Sequence, residues 1–362
     1  MRRKVSLLLM CLLTLTVGLG VAEEWQAEDW IEFMLICNEG MLNEGGNVGN
    51  TIMILSMNPQ LGIIKELVFQ WDVFIEYPGY ETPQLLDQPF RVNGPEESVM
   101  LFNQNFGLDI ASFLSLNFLN LSSVIDKYGG VTVDITRAER NALNGMVAAK
   151  LEHALSTLGD GNAHNNLYAS LLEEYYLLDY GQDTHLSGIQ AVGYGWLQYD
   201  SVANCVMREL EVVAQLFFQM KEHVYNRVWF GAEGDEPGED AQGKRIIYVD
   251  NISDSDRQFL MQITSPVFDN AYHNLTEEQI WGITETILVA THQTSAAYDY
   301  VQLCILPIEG ENERERIGSA NGIVIDYETN KDTLNRFLRD PDYAPMLMEH
   351  AGRITGRLEI DK

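Results

Sequence analysis

The sequence reads as an α/β protein whose strands are buried on both faces. Short apolar runs bounded by turn residues, amphipathic stretches opened by helix-start signals, and the alternation of the two along the chain all point that way. With 362 residues, the chain is long enough for one large domain or two small ones.

Taken in order, "WIEFMLIC" (30–37) and "TIMILSMN" (51–58) are the first two strands, separated by the Gly/Asn-rich loop "NEGMLNEGGNVGN". After the turn at Asn58-Pro59, "GIIKELVFQWDVFIEYPG" supplies two further strand-like runs. Pro95 opens a helix with Glu96 and Glu97 in its first turn, where the helix dipole favours acids, and a strand follows near 110–117. The pattern repeats as a helix over 119–127, a stop at Gly129-Gly130 and a strand over 131–135. Thr136 and Glu139 form a capping-box signature, and residues 137–183 read as a helical insertion interrupted by "LGDGNAHNN". "HLSGIQAVGYGWLQYD" (185–200) reads as a short helix running into a strand, and it contains one acid and no lysine or arginine. The helix over 205–223 has its apolar residues at helical spacing and must lie on the sheet. "GAEGDEPGEDAQGK" (231–244) is an acidic surface loop whose spacing matches no calcium loop. A capped helix in "NLTEEQIWGITETILVA", a buried strand in "YVQLCILP", and a last strand and helix in "GIVIDYETNKDTLNRFL" complete the reading. No repeat or linker divides the chain, so residues 23–345 stand as one domain with a tail over 346–362.

The first 22 residues, "MRRKVSLLLMCLLTLTVGLGVA", place three positive charges before an apolar run that ends in small residues. That is the layout of an export signal; the run is also just long enough, at the lower limit, for a membrane anchor. Either places the rest of the protein outside the cytoplasm, secreted or held on the outer face of a bacterial membrane. The whole chain carries a formal charge of −30. Losing the leader removes three cations and no acids, leaving −33. Such a surface repels phosphate backbones, so nucleic-acid binding is excluded as a function. Beyond the leader only Cys37, Cys205 and Cys304 remain, which is no disulfide framework. The seven histidines are scattered, and no HExxH, GxSxG, GxGxxG or Walker motif is present.

Several collinear segments resemble the LytR-CpsA-Psr family of bacterial envelope proteins, which attach glycopolymers to the cell wall. The pieces are "NTIMILSMNP" (50–59), "ELVFQWDVFIEYPG" (66–79), "RVN" (91–93), "LNFLNLSSVIDKYGGVTVDIT" (116–136), "HLSGIQAVGYGWLQYD" (185–200), "MRELEVVAQLFFQMK" (207–221), "NLTEEQIWGI" (274–283), "LPIEG" (306–310) and "TLNRFL" (333–338). "DKYGGVTVDIT" is the most specific of them. The resemblance implies a central, mostly mixed β-sheet flanked by helices, with an apolar tunnel for a polyprenyl tail. It also implies arginines and Mg²⁺ at the tunnel mouth, holding the pyrophosphate that links lipid to glycan. The partners it implies are a polyprenyl-linked glycan or other apolar lipid, and peptidoglycan or cell-wall assembly proteins. Cleaving a pyrophosphate builds negative charge on the leaving phosphate, and guanidinium forks and a hard cation stabilise it.

Position by position, much of that machinery is replaced. The metal-binding aspartate of the family's "SDT" becomes Asn50, before Thr51. The "PRD" motif becomes Gln70-Trp71-Asp72, so Trp71 stands for the arginine while Asp72 keeps the second acid. "YARIR" becomes Tyr194-Gly195-Trp196-Leu197-Gln198, with both arginines gone, and "GRTERQR" keeps only Arg208. Arg91 with Asn93 matches a basic-then-asparagine motif. On the resemblance, Asp72 and Arg208 are the catalytic candidates. Arg91, Asn93, Trp71, Trp196, Gln198 and Cys205 are the candidates for substrate contact, and Asp72 with Asn50 those for Mg²⁺. Against these stand plainer readings: tryptophans that pack, an arginine in a structural ion pair, and a cysteine that is a small buried hydrophobe. Each charged hydrogen bond lost at a buried anion costs about 1.5–3 kcal/mol, so the resemblance leaves two functions open. One is a weakened phosphotransferase, and the other a non-catalytic lipid-binding or scaffold protein.

Overall fold

Two apolar runs seed the central sheet. β1 (Ile31–Asn38) and β2 (Thr51–Asn58) pair antiparallel with Ile36 opposite Ile52. A tight turn then returns the chain as β3 (Ile63–Phe69): the Asn58 side chain accepts from the amides of Gln60 and Leu61, and Gly62 takes the left-handed conformation. β6 (Ser112–Asn117) lies parallel to β1, and β12 (Val301–Leu306) parallel to β3. The two-residue β11 (Tyr272–His273) closes the other edge, giving a mixed sheet of order β11-β6-β1-β2-β3-β12. The computed structural model describes residues 30–38, 51–70, 72–156, 175–198, 200, 202–231, 234, 243–248, 251–292, 301–306, 313–318, 320–325 and 327–343. The leader and the C-terminal tail lie outside them.

The two-residue period of the strands divides the core between the sheet's faces. Phe33, Leu35, Met53, Leu55 and Val68 face one layer, made by α3 (Phe118–Lys127), α5 (Gly188–Gly195), α6 (Val202–Tyr225) and α8 (Glu277–His292). Met34, Ile36, Ile52, Ile54, Leu67 and Phe69 face the other, against α2 (Pro95–Phe106) and α9 (Tyr327–Arg339). Burying each such side chain stabilises by about 1.5–3 kcal/mol, so both faces are strongly specified. On the second face a smaller sheet, β13-β14-β4-β5, pairs β4 (Val73–Ile75) with β5 (Gln84–Leu85) and β14 (Ala320–Val324) with β13 (Glu313–Ile317). The short α1 (Gln88–Asn93) follows β5, and β9 (Val228–Gly231) pairs parallel with β10 (Arg245–Tyr248) apart from both sheets.

Local signals account for the helix ends around the site. Asn117 caps α3 by accepting from the Asn120 amide at 2.8 Å. Gly130 follows at positive φ, and a Cβ there would meet the Leu186 carbonyl and the His185 ring at 2.5 Å. Only glycine lets β7 (Val131–Ile135) pair with β8 (Gly181–Leu186) at that approach. Ser187 and Gln190 form a capping box at the start of α5. Thr136 and Glu139 do the same for α4 (Arg137–Ser156), with the Glu139 carboxylate accepting from both the amide and the hydroxyl of Thr136. α4 and the first residues of β8 fall within the span 137–183 read as a helical insertion, so its end is strand and not helix, and residues 157–174 lie outside the described ones.

Two sequence expectations change. The segment after Tyr194 is not a strand: α5 tightens at its C-terminus, where the amides of Trp196 and Leu197 donate to the carbonyls of Val192 and Tyr194. The sequence reading also gave no helix over 254–269, where α7 (Asp254–Asp269) forms with Pro266 inside it. Among the described residues, no helix is long and apolar enough to cross a membrane.

Candidate functional site

The parallel strands β1, β6, β3 and β12 end at one edge of the sheet, the edge where open α/β sheets present ligand sites. Cys37, Thr51, Asn117, Gln70 and Asp72 lie there. The tight end of α5 turns the half-buried Trp196 onto this edge. Its indole nitrogen donates to Thr51 Oγ1 at 2.9 Å, and its ring lies 5.3 Å from that of Phe118. Cys205, on the first turns of α6, is buried with Sγ 3.5 Å from the Gly195 carbonyl and 3.9 Å from Glu209 Oε1. Burial pushes its thiol up, and that of Cys37 up to about 12, so neither offers a thiolate at neutral pH. Glu209 sits one turn beyond Cys205. Desolvation raises its carboxyl to about 8, against the opposing pull of the Thr51 hydroxyl and Arg208.

Arg208 is wholly buried. Asp200 grips its guanidinium with both oxygens, Nη2 to Oδ1 at 2.7 Å and Nη1 to Oδ2 at 3.1 Å. Glu139 Oε1 lies 3.4 Å from Nη1, and Nη2 also donates to the Leu197 carbonyl. Asp200 holds the group charged against its burial. Beside it the Tyr194 hydroxyl donates to Glu211 Oε2 at 2.8 Å. The guanidinium therefore ties α4, the exit of α5 and α6 together, and two carboxylates compensate its charge. This is the structural ion pair of the plainer reading, with Glu139 and Asp200 as its partners.

The other expected residues divide between the sheet's faces. Asp72 is buried in the turn between β3 and β4, where its carbonyl accepts from the Ile323 amide at 2.8 Å. Arg91 lies exposed on α1, 3.5 Å from Asp87, and the Asn93 amide donates to the Tyr77 hydroxyl at 3.1 Å. Tyr77 belongs to the core on the α2 side, so this pair hangs from the face opposite α6. Gln198 is exposed beyond Leu197. Trp71 and Asn50 lie outside the described residues. The structure thus brings Trp196, Cys205 and Arg208 together with Thr51 and Glu209, and sets Arg91 and Asn93 apart from them.

Thr51, Glu139, Asp200 and Glu209 are site residues that the sequence reading did not name as candidates. Glu209 left one signal, an acid at helical spacing from Cys205 and Val212 on the apolar stripe of α6. Among the described residues no group of three or more His, Cys, Asp or Glu side chains gathers in one place.

Known proteins resemble this chain in both sequence and fold. The curated polyisoprenyl-teichoic acid–peptidoglycan teichoic acid transferase TagU of Oceanobacillus iheyensis is 28% identical over 121 residues. That match takes in 32% of this chain and 37% of the relative, so the chain spans about a third of its length. The solved structure of B. subtilis TagV superposes with a TM-score of 0.55 at 13% identity, covering 88% of this chain and all of TagV. TagT bound to LIIa-WTA gives 0.52 at 14% identity, over 88% of this chain and 94% of that one, and gbs0355 of Streptococcus agalactiae gives 0.54 at 13%, over 90% and 95%. At these identities the structures show a shared fold. Residues 34–222, just over half the chain, match the LytR_cpsA_psr family, and the protein belongs to that family.

Proposed function

We propose that this protein works outside the membrane on cell-wall glycopolymers carried by polyprenyl lipids, and that it binds the lipid without turning it over. Family membership and the TagU relative support the first half. The second is carried by one observation: Arg208, the sole arginine left at six positions where the family resemblance calls for one, is buried and compensated by Asp200 and Glu139. A compensated guanidinium has no charge to offer a pyrophosphate. Removing several charged hydrogen bonds from a developing anion lowers a rate by roughly 10³-fold or more. What the sheet edge offers instead is the half-buried Trp196, packed on the buried ring of Phe118, beside the helical face where the proposed tunnel for the lipid tail would run.

The test incubates the purified chain with a polyprenyl-pyrophosphate lipid, with and without Mg²⁺, and follows bound lipid and released phosphate together. Lipid bound with no phosphate released above the protein-free rate supports the reading. Magnesium-dependent release by the wild-type chain would restore the phosphotransferase and overturn it.

A further inference from the structure

Away from the Trp196 edge, one face of α7 lines a cavity of about 490 Å³, with Arg245 of β10 at one end and His273 of β11 at the other. Phe259, Met261 and Ile280 give it apolar walls. Gln258 and Gln262 stand exposed along it, and neither side-chain amide has a hydrogen bond among the described residues. His273 brings a further unmet group: its Nδ1 is buried with no hydrogen-bond partner among the described residues. Its backbone is also turned outward. An antiparallel ladder alternates, and the Asn274 amide donates inward to the Phe113 carbonyl, so the His273 N–H and C=O face away from β6 at the end of the sheet. Asp269 stands at the same end of the cavity. Ser265 donates to its Oδ2 at 2.8 Å, and its Oδ1 accepts no hydrogen bond among the described residues. Arg245, at the far end, is paired with Asp256 at 2.7 Å.

Elsewhere in the fold, side-chain amides grip extended backbone. Asn144 accepts from the Leu177 N–H at 2.9 Å and donates to its C=O at 2.8 Å; Asn103 holds Ile110, and Asn105 holds Glu76, in the same way. Gln258 and Gln262 lie four positions apart, about 6 Å along the helix axis. Alternate residues of an extended strand repeat every 6.6–6.8 Å or about that. Two such amides therefore match two peptide units of one strand laid along α7. The apolar walls suit its inward side chains, and the His273 backbone offers a pair of hydrogen bonds at its end. Asp269, in a chain of formal charge −30, favours a cation there. We propose that this groove binds a short peptide in extended form, with a basic residue at the end that meets Asp269. Peptide binding here is independent of the lipid-binding reading above.

Fluorescence anisotropy at physiological salt, with the full chain and the end-blocked peptide Leu-Ser-Leu-Ser-Lys, tests this. The controls are the same peptide ending in Glu, and the Lys peptide N-methylated along its backbone. The Lys peptide is expected to bind at least about five-fold more tightly than either control. Gln258→Ala and Gln262→Ala are each expected to weaken it about three- to ten-fold. Both positions are exposed on α7, where alanine favours the helix, so the loss reads contact and not folding. Asp269→Asn is expected to narrow the gap between the Lys and Glu peptides to about two-fold. Undiminished binding of the Lys peptide by the variant carrying both glutamine changes would overturn the proposal, and so would no binding by the wild-type chain. A chitin tetrasaccharide bound by the wild type and lost in that double variant, with no peptide bound, would assign the groove to a glycan and overturn it as well.

Discussion

At Glu209 a helical position sets a carboxyl beside Thr51, Cys205 and Arg208 at the sheet edge. Burial raises its carboxyl from the usual 4.5 to about 8, so the folded state holds a proton that the unfolded chain has released. Its contribution to stability is fully present below about pH 4.5 and is lost as the pH rises to about 8. Glu66 acts in the same direction: it is buried on β3, and neither of its oxygens has a hydrogen-bond partner among the described residues. Lys65, lowered by burial from 10.5 to about 8, acts on the other side, its neutral form in the fold becoming an advantage between about pH 8 and 10.5. Denaturant unfolding at pH 5, 6.5 and 8 is therefore expected to show wild-type stability falling with pH. Glu209→Gln, which has no proton to lose, is expected to flatten that slope; an unchanged slope would mean that Glu209 is ionised in the fold. Glu66→Leu, which replaces a partnerless buried carboxyl with an apolar side chain, is expected to stabilise by about 1–3 kcal/mol in the same unfolding experiment.

Helix ends and glycines carry most of what was legible at the level of the element. "DKYGG" stops α3 because Gly130 must admit the β8 backbone, so Gly130→Ala is expected to cost at least about 2 kcal/mol in unfolding free energy. Gly145 in α4 has open space around it, and Gly145→Ala is expected to stabilise by about 0.5–1 kcal/mol. Opposite signs for two identical substitutions would confirm the reading of both helices. The strands β1, β2 and β6 were legible because both-face burial leaves near-continuous apolar runs, and β7 because its buried residues alternate with polar ones. α7 was not, since its outward stripe is polar and Pro266 interrupts it. The end of α5 was misread as a strand because Trp196 and Leu197 suit a strand equally well. What bends the chain there is the tight hydrogen bonding of the last turn.

Over the whole molecule, a mixed six-stranded sheet with helices on both faces superposes on TagV and TagT at 13–14% identity, while the residues at its candidate edge differ from the pattern the family resemblance implies. The family and the missing arginines could be seen in the sequence, because both lie in contiguous motifs. The neutralisation of Arg208 could not, because its partners come from eight and 69 residues away and meet it only when α4, α5 and α6 pack. The most direct test of the account is a double-mutant cycle on that pair, Arg208→Met and Asp200→Asn, read by unfolding free energy alongside lipid binding. Each single change is expected to destabilise, Arg208→Met by about 3–5 kcal/mol, with a coupling that makes the double variant less impaired than the sum. An Arg208→Met protein as stable as wild type that has lost lipid binding ten-fold or more would contradict it, and would place the guanidinium on the ligand.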